Sequence, residues 1–305
     1  MKTRIEWATH TENFQSGCSK VSPACSNCYA LTMSRRLANM GGPSRYDGVT
    51  SGTVGEPVWT GEIVADLVQL SRIFQGLRSA RKPRRVFLNS MTDTFHQDAP
   101  QSALALLADE IKATSSDHPH VLMLLTKRPG GLLQWQRQHF PAGLPAWVWV
   151  GCTVEDQRRA NDRIPLLMAV RAGVRFLSME PLLGPVDLRR VSPLADGTVF
   201  DALSSPDGSP ISWVITGGES GPGARPSHPD WFRSLRDQCI SASVAFHFKQ
   251  WGEWAGDCLC DVYSPVSCST VARPQPGVVG VMFRCGKHRA GRVLDGRTWD
   301  GLPDV

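Results

Sequence analysis

Three cysteines stand close together near the start of the chain, in the segment Cys18-Ser-Lys-Val-Ser-Pro-Ala-Cys25-Ser-Asn-Cys28-Tyr-Ala. The spacing, six residues and then two, suits thiolate ligation of a metal. A C-x2-C pair sets two sulfurs on one side of a turn, and the longer loop, stiffened by Pro23, lets the first sulfur fold over them. A helical pattern, Ala30–Met40, begins directly after Cys28, and a helix start favours anionic thiolates or an anionic cluster. Cys18, Cys25 and Cys28 are enough to hold three irons of a [4Fe–4S] cluster and leave the fourth iron open. Zinc is the competing metal; it wants a fourth ligand, which His10 or a tail cysteine could supply. A site with neither metal is the third reading.

The other chemistry-bearing residues follow short apolar runs. Arg85–Leu88 leads into Asn89, Ser90 and Asp93, and Val121–Leu125 leads into Lys127 and Arg128. Phe176-Leu177 leads into Glu180, Trp213–Ile215 into Gly217, Gly218 and Glu219, and Phe246–Phe248 into Lys249, Gln250 and Trp251. Asn89, Ser90 and Asp93 could bind a ribose or substrate, or cap the next helix. Lys127 and Arg128 could bind a carboxylate or phosphate. A helix start does not favour cations, which makes a purely solvating role a poorer fit there. Glu180 could hold an ammonium group or a ribose hydroxyl, or pair with a basic residue inside the fold. Trp251 could stack on a base or pack against a rim. His96 reads as a surface or capping histidine, and Arg81–Arg85 as a solvated basic loop with phosphate contact as the alternative.

These residues need elements to position them. The apolar runs Arg85–Leu88, Val121–Leu125, Trp147–Val150, Arg175–Leu177, Trp213–Thr216 and Ala245–Phe248 read as buried strands. Between them, helical spacing appears at Ser102–Lys112, Gly130–Gln138, Asp156–Val170 and His228–Ser241, with an earlier helix at Val64–Arg78. Strand–helix alternation with near-continuous apolar strands predicts a parallel sheet covered by helices. Six strands delivering polar or Gly-rich residues at their C-terminal ends predict a ligand site there, as in barrels and open parallel sheets. The expected fold is α/β, a full or partial (β/α) barrel, with an open doubly wound sheet as second choice. Residues 1–252 are expected to form the barrel-like domain, and 253–305 an extension packed on it. Leu188–Pro210 and Cys258–Pro276 read as surface loops.

Composition bounds these readings. The chain has 305 residues, 41% hydrophobic and 20% charged, which is globular and excludes a disordered or fibrous class. The net charge of +5 permits a nucleic-acid partner without arguing for one. No apolar run approaches the roughly 18 residues of a membrane span. The polar start lacks a signal-peptide pattern, so a cytoplasmic protein is expected. Nine cysteines are an odd number for a disulfide framework. Cys152 and Cys239 lie in apolar surroundings and read as buried small hydrophobes. Cys258, Cys260, Cys268 and Cys285 are irregularly spaced; the single residue between the first two is unusual for zinc.

The chain resembles a phage-associated family of unknown function that carries an N-terminal three-cysteine motif and occurs in phages, prophages and bacterial genomes. The resemblance rests on Ile5-Glu6-Trp7, the cysteine segment, Phe87–Asp93, Leu125–Pro129, Val154-Glu155, Leu177–Pro185, Gly217–Pro226, Phe248–Gly252, and Ala290–Arg292 to Trp299-Asp300. In its early cysteines and expected barrel it is similar to radical S-adenosylmethionine (SAM) enzymes. It departs from them in the six-residue first spacing, in Asn27 before the last cysteine with Tyr29 just after it, and in the late place of Gly217-Gly218-Glu219. That triplet resembles the segment that holds the SAM amino group. The resemblance implies a cluster on Cys18, Cys25 and Cys28, SAM as second cofactor, hydrogen abstraction by a 5′-deoxyadenosyl radical, and a reductant protein as partner. The phage setting and basic balance point to a nucleobase or nucleotide substrate. The alternative is a non-catalytic nucleic-acid-binding protein stabilised by zinc at the same cysteines.

Overall fold

The computed structural model describes residues 2–3, 5–115, 119–193, 197–204, 210–256, 271–272 and 282–304. The protein is mixed α/β, and the chain divides into two compact units. The first comprises Met1–Cys152 with Ala169–Val174, and the second Thr153–Met168 with Arg175–Val305.

The first unit carries four parallel strands in sequential order: β1 (His10–Glu12), β2 (Arg85–Leu88), β3 (Val121–Thr126) and β4 (Val148–Thr153). Its helices are α1 (Tyr29–Asn39), α2 (Leu67–Arg78), α3 (Gln101–Lys112) and α4 (Pro129–His139). Leu70 and Phe74 of α2, Leu107 and Ile111 of α3, and Leu88, Leu122 and Met123 of the strands are fully buried. β4 is buried along its whole length, as expected of a parallel strand covered on both faces. α2 starts three residues later than its sequence pattern suggests. Val64–Ala65 pairs as a short strand with Gln15–Ser16, and Asp66 caps the helix by accepting from the Gln69 amide at 2.8 Å.

The second unit carries α5 (Gln157–Met168), the parallel strands β5 (Arg175–Met179), β6 (Trp213–Gly217) and β7 (Ala245–Gln250), and α6 (Pro229–Ser241). Its core is aromatic. Phe232, Phe248 and Trp251 meet pairwise with ring centroids 5.1–5.3 Å apart, all edge-on, a favoured arrangement of aromatic quadrupoles. Trp299 and Gly301 run along β7. Phe248 donates its amide to the Trp299 carbonyl at 2.9 Å, and Gly301 donates to the Phe246 carbonyl at 3.0 Å. These bonds cover strand groups that would otherwise be exposed at an edge.

The six strands expected from apolar runs are present, with strand–helix alternation between them. β1 was not expected. His-Thr-Glu has no apolar signature, because a three-residue strand with only half-buried side chains carries none. The Leu188–Pro210 stretch is also corrected. Leu188, Val191, Ala202 and Leu203 are buried, and Val191 bridges Phe200, so the described part packs into the unit rather than lying on its surface.

Asn89 ties the exits of β1 and β2 together. It sits in the left-handed region, φ 60°, which Asn tolerates better than most residues. Its Oδ1 accepts from the amides of Phe14 and Gln15 at 3.1 and 3.3 Å, and its Nδ2 donates to Thr94 Oγ1 at 2.9 Å. Replacing Asn89 with Ala orphans two buried amides and adds backbone strain. Asn89→Ala is therefore expected to cost about 3–5 kcal/mol in urea denaturation, whereas an unchanged midpoint would remove this residue from the scaffold.

Candidate functional site

The three cysteines share one loop of the first unit. Gly17 opens it with φ 89°; a Cβ there would sit 1.9 Å from the Glu62 carbonyl oxygen, so only glycine fits. Thr92 Oγ1 donates to the Gly17 carbonyl and fastens the loop start to the exit of β2. Pro23–Cys25 forms a single 3-10 turn, and Cys28 is the N-cap residue of α1. Cys25 is buried, while Cys18 and Cys28 are half-buried. Cys18 and Cys28 are close enough for a charge on one to act on the other. Among the described residues, however, no three His, Cys, Asp or Glu side chains are gathered into a set that could hold a metal ion.

Beneath Cys18 lies a polar network that the strand register explains. β2 and β3 run parallel with Leu88 opposite Leu124, so both strands release their following residues at the same end. The Asp93 carboxylate therefore reaches the turn after β3. Its Oδ1 accepts from Thr126 Oγ1 at 2.6 Å and from the Phe95 amide at 3.1 Å. Its Oδ2 accepts from the Lys127 amide at 2.9 Å and from Arg128 Nη1 at 3.3 Å. Arg128 Nη1 also lies 3.9 Å from Cys18 Sγ. Its Nη2 donates to the Ser19 carbonyl at 3.1 Å and to Ser19 Oγ at 2.8 Å. Ser19 Oγ in turn meets His96 Nε2 at 2.7 Å.

The protonation states follow from this geometry. The Asp98 amide donates to His96 Nδ1 at 3.2 Å, which assigns the proton of the neutral ring to Nε2, facing Ser19. Burial, and then the Arg128 charge, hold His96 below its ordinary value. Burial pushes the Cys18 thiol up, Asp93 adds to that, and Arg128 opposes it. His96 is thus a buried member of the network, not the surface residue its sequence context suggested. Lys127 contributes its amide to Asp93, and among the described residues its ammonium has no carboxylate partner. Ser90 faces Asn13, its hydroxyl donating to Asn13 Oδ1 at 3.3 Å, while its carbonyl accepts from the Tyr29 hydroxyl at 2.5 Å. His10 bonds Thr9 Oγ1 at 2.9 Å and lines a cavity of ≈130 Å³ with Glu12, Arg72 and Arg84.

In the second unit, Glu180 follows β5 and pairs with Lys249 of β7, whose Nζ lies 3.1 Å from Oε1 and 3.4 Å from Oε2. Gly217 lies against this carboxylate; a Cβ on it would stand 2.8 Å from Glu180 Oε1. Gly218 faces backbone: its Cβ would fall 1.8 Å from the Trp251 carbonyl oxygen. Close packing of the β6 and β7 exits therefore accounts for Gly218, while Gly217 makes room for the Glu180 carboxylate and the Gln250 carbonyl. Glu219 is held by Arg225, with Nη2 to Oε1 at 2.6 Å and both Nε and the backbone amide to Oε2 at 2.8 Å. Trp251 is buried among Phe232 and Phe248 and donates from Nε1 to the Val293 carbonyl at 2.8 Å, so it packs in the core and offers no face to a base.

Cys152 and Cys239 are buried, and burial pushes the Cys239 thiol up to about 12. Cys258, Cys260 and Cys268 lie outside the described residues. Sequence reasoning missed Gly17, Ser19 and Arg225. Ser19 adjoins a cysteine and Gly17 precedes it, but their partners are 45 to 109 residues away along the chain, and no local pattern announces them.

A family model described as Protein of unknown function (DUF5131) matches residues 2–303. The chain belongs to that family. No curated protein and no solved structure matches it. The DUF5131 match takes in the cysteine loop, the Asp93–Arg128 network and the Glu180–Lys249 pair alike.

Two outcomes are expected of this DUF5131 chain. His96 binds its proton more weakly folded than unfolded, so its contribution to stability is present above pH 6.5 and is lost as pH falls through its lower folded value. His10 and His139 are shifted in the same direction. Thermal melts should show stability falling below pH 6.5, less steeply in His96→Gln; an equal slope in both proteins would exclude His96. Separately, Gly218→Ala forces a carbon into a backbone oxygen and should cost more than about 3 kcal/mol, or abolish soluble expression. A variant as stable as the parent would show that the two strand exits can separate freely.

Proposed function

We propose that this chain is an iron–sulfur enzyme of radical SAM type, built on the partial (β/α) barrel such enzymes use, with Cys18, Cys25 and Cys28 as the cluster ligands. One observation carries the reading: three thiols share a loop pinned beside the exits of β2 and β3, and the first has a guanidinium 3.9 Å from its sulfur. The donor chemistry fits an iron–sulfur cluster. The ligands are sulfur, a cation stands beside one of them, and the N-terminus of α1 begins at another. The sulfurs are not gathered as a ligand set, so uptake requires the loop from Lys20 to Cys28, beyond the anchored Ser19, to close around the cluster.

Bound there and reduced, the cluster would supply the electron that cleaves SAM to a 5′-deoxyadenosyl radical, which abstracts a substrate hydrogen. The protein's own groups hold and orient. Arg128 and Asp93 fix the start of the loop at Cys18 and Ser19, and the Lys127 ammonium, which has no carboxylate partner among the described residues, is assigned to a carboxylate or phosphate. In the second unit, Glu180 is assigned to a ligand's ammonium or hydroxyl, which would compete with Lys249 for the carboxylate. Gly217, Gly218 and Glu219 are already engaged by packing and by Arg225, so a ligand there would have to displace those contacts. We assign the reductant to the outer face of α1, beside Cys28. There Tyr29, Met33, Arg36 and Met40 form an exposed stripe, and no acidic residue occurs between Asn13 and Tyr46. That surface suits an acidic donor protein. A nucleobase or nucleotide is the substrate class proposed, and a phage setting the proposed context.

Anaerobic purification followed by iron and sulfide analysis tests the reading. About four of each per chain are expected, reduced sharply in Cys25→Ala and Cys28→Ala. Adding SAM to the reduced protein should shift its electron paramagnetic resonance signal and release 5′-deoxyadenosine. One equivalent of zinc without sulfide would replace this reading with that of a zinc-stabilised nucleic-acid-binding protein. A cluster whose spectrum ignores SAM would leave a redox protein.

A further inference from the structure

We propose that the cavity lined by α2, β1 and the start of β2 is a binding site for a small oxyanion, a phosphate or carboxylate group, held by Arg72 and Arg84. No residue of the cysteine loop lines it, so the site stands or falls apart from the cluster reading. The strand register builds one wall. His10 of β1 lies opposite Val86 of β2, and alternation along the strands puts Glu12 and Arg84 on the same face as that pair. On α2, Gln69, Arg72, Ile73 and Gly76 recur at steps of three and four residues, so they form one stripe that completes the lining. Ile73, Leu77 and Val86 are buried and supply its apolar part. Ligand sites commonly combine apolar walls with a few converging polar groups. The volume, ≈130 Å³, is near the roughly 150 Å³ of a cavity that takes up benzene, and a phosphate has fewer heavy atoms than benzene.

The charges in this lining do not cancel. Glu12 is its one carboxylate, against two guanidinium groups. Burial, and then the Arg84 charge, hold the His10 imidazole below its ordinary value, so it is neutral at neutral pH. Arg84 uses one donor on the Gly76 carbonyl at 3.3 Å. Among the described residues neither arginine has a carboxylate partner, and the Arg72 guanidinium has no hydrogen bond. A guanidinium offers five donors in a planar fork that matches a carboxylate or a phosphate. Two such forks at one cavity, with positive charge in excess, favour an oxyanion over a cation or an apolar ligand. Arg84 belongs to the basic run Arg81–Arg85, and the cavity gives the phosphate-contact reading of that run a place. Gly76 fits the same purpose. Glycine inside a helix weakens it relative to alanine. Here a Cβ would meet no atom within 4 Å, so packing does not demand the glycine, while a side chain would take up space at the cavity it lines.

The test titrates the full chain with sodium phosphate and, separately, with sodium acetate, while sodium chloride holds the ionic strength constant. Thermal stability and the His10 ring signals in NMR spectra, assigned with His10→Gln, are the readouts. Wild type should gain stability saturably as the anion binds the folded state. Its His10 signals should shift over the same range of concentration. Arg72→Gln and Arg84→Gln should each weaken binding about tenfold. Arg137→Gln, which removes an exposed charge of α4 outside the lining, should match wild type. Arg72 is exposed and has no hydrogen bond or ion pair among the described residues, so its variant tests binding without disturbing the fold. The anion that binds more tightly identifies the ligand group as phosphate or carboxylate, and either result supports the site. Three results overturn it: no saturable response to either anion, a response that both arginine variants retain in full, or a gain in stability that leaves His10 unmoved.

Discussion

The Asp93 carboxylate organises the first unit. Its two oxygens accept four hydrogen bonds, from Thr126, Phe95, Lys127 and Arg128, and these join the exit of β2 to the exit of β3. A buried carboxylate is costly unless its lone pairs are taken and a cation stands near, and here both conditions are met. Removing either member of the Asp93–Arg128 pair leaves a charge uncompensated, at a cost of about 3–5 kcal/mol. The same carboxylate orients the guanidinium that reaches Ser19 and Cys18. The cysteine loop thus inherits its placement from a charge pair between residues 35 positions apart.

The second unit is organised differently. Its strand exits are brought together by backbone contact at Gly218 and by the edge-on aromatic group of Phe232, Phe248 and Trp251. Two ion pairs finish the polar end, Glu180 with Lys249 and Glu219 with Arg225. The second is bidentate and nearly closed to further partners, while the first is looser, at 3.1 and 3.4 Å. That contrast separates two carboxylates which look alike in sequence. Glu219 is committed to holding its own loop, and Glu180 meets the Lys249 ammonium across the exits of β5 and β7.

Much of the fold was legible because strands buried on both faces must be apolar throughout, and helices that cover them must carry an apolar stripe. Both constraints write periodic patterns into neighbouring residues. Arg85–Leu88 and Pro229–Ser241 fall within a residue of where those patterns put them. β1 left no such trace. A three-residue strand of half-buried polar side chains is defined by its partner, His10 opposite Val86, and not by its own composition. The buried residues of the Leu188–Pro210 stretch were hidden for a related reason, since its glycine- and proline-rich parts dominate the local signal.

The candidate site divides along the same line. Sequence alone determined that three thiols share a short loop ahead of a helix, because chain spacing of seven and three residues constrains distance whatever the fold does. It also determined that polar residues follow apolar strands. Tertiary structure alone decided what each of those residues faces: Asn89 turned inward onto the Phe14 and Gln15 amides, Trp251 packed into the core, Arg128 directed at Cys18, and Gly218 pressed against Trp251. Each of these outcomes depends on a partner 19 to 110 residues distant, and side-chain chemistry specifies what kind of partner is needed without specifying which one the fold will bring.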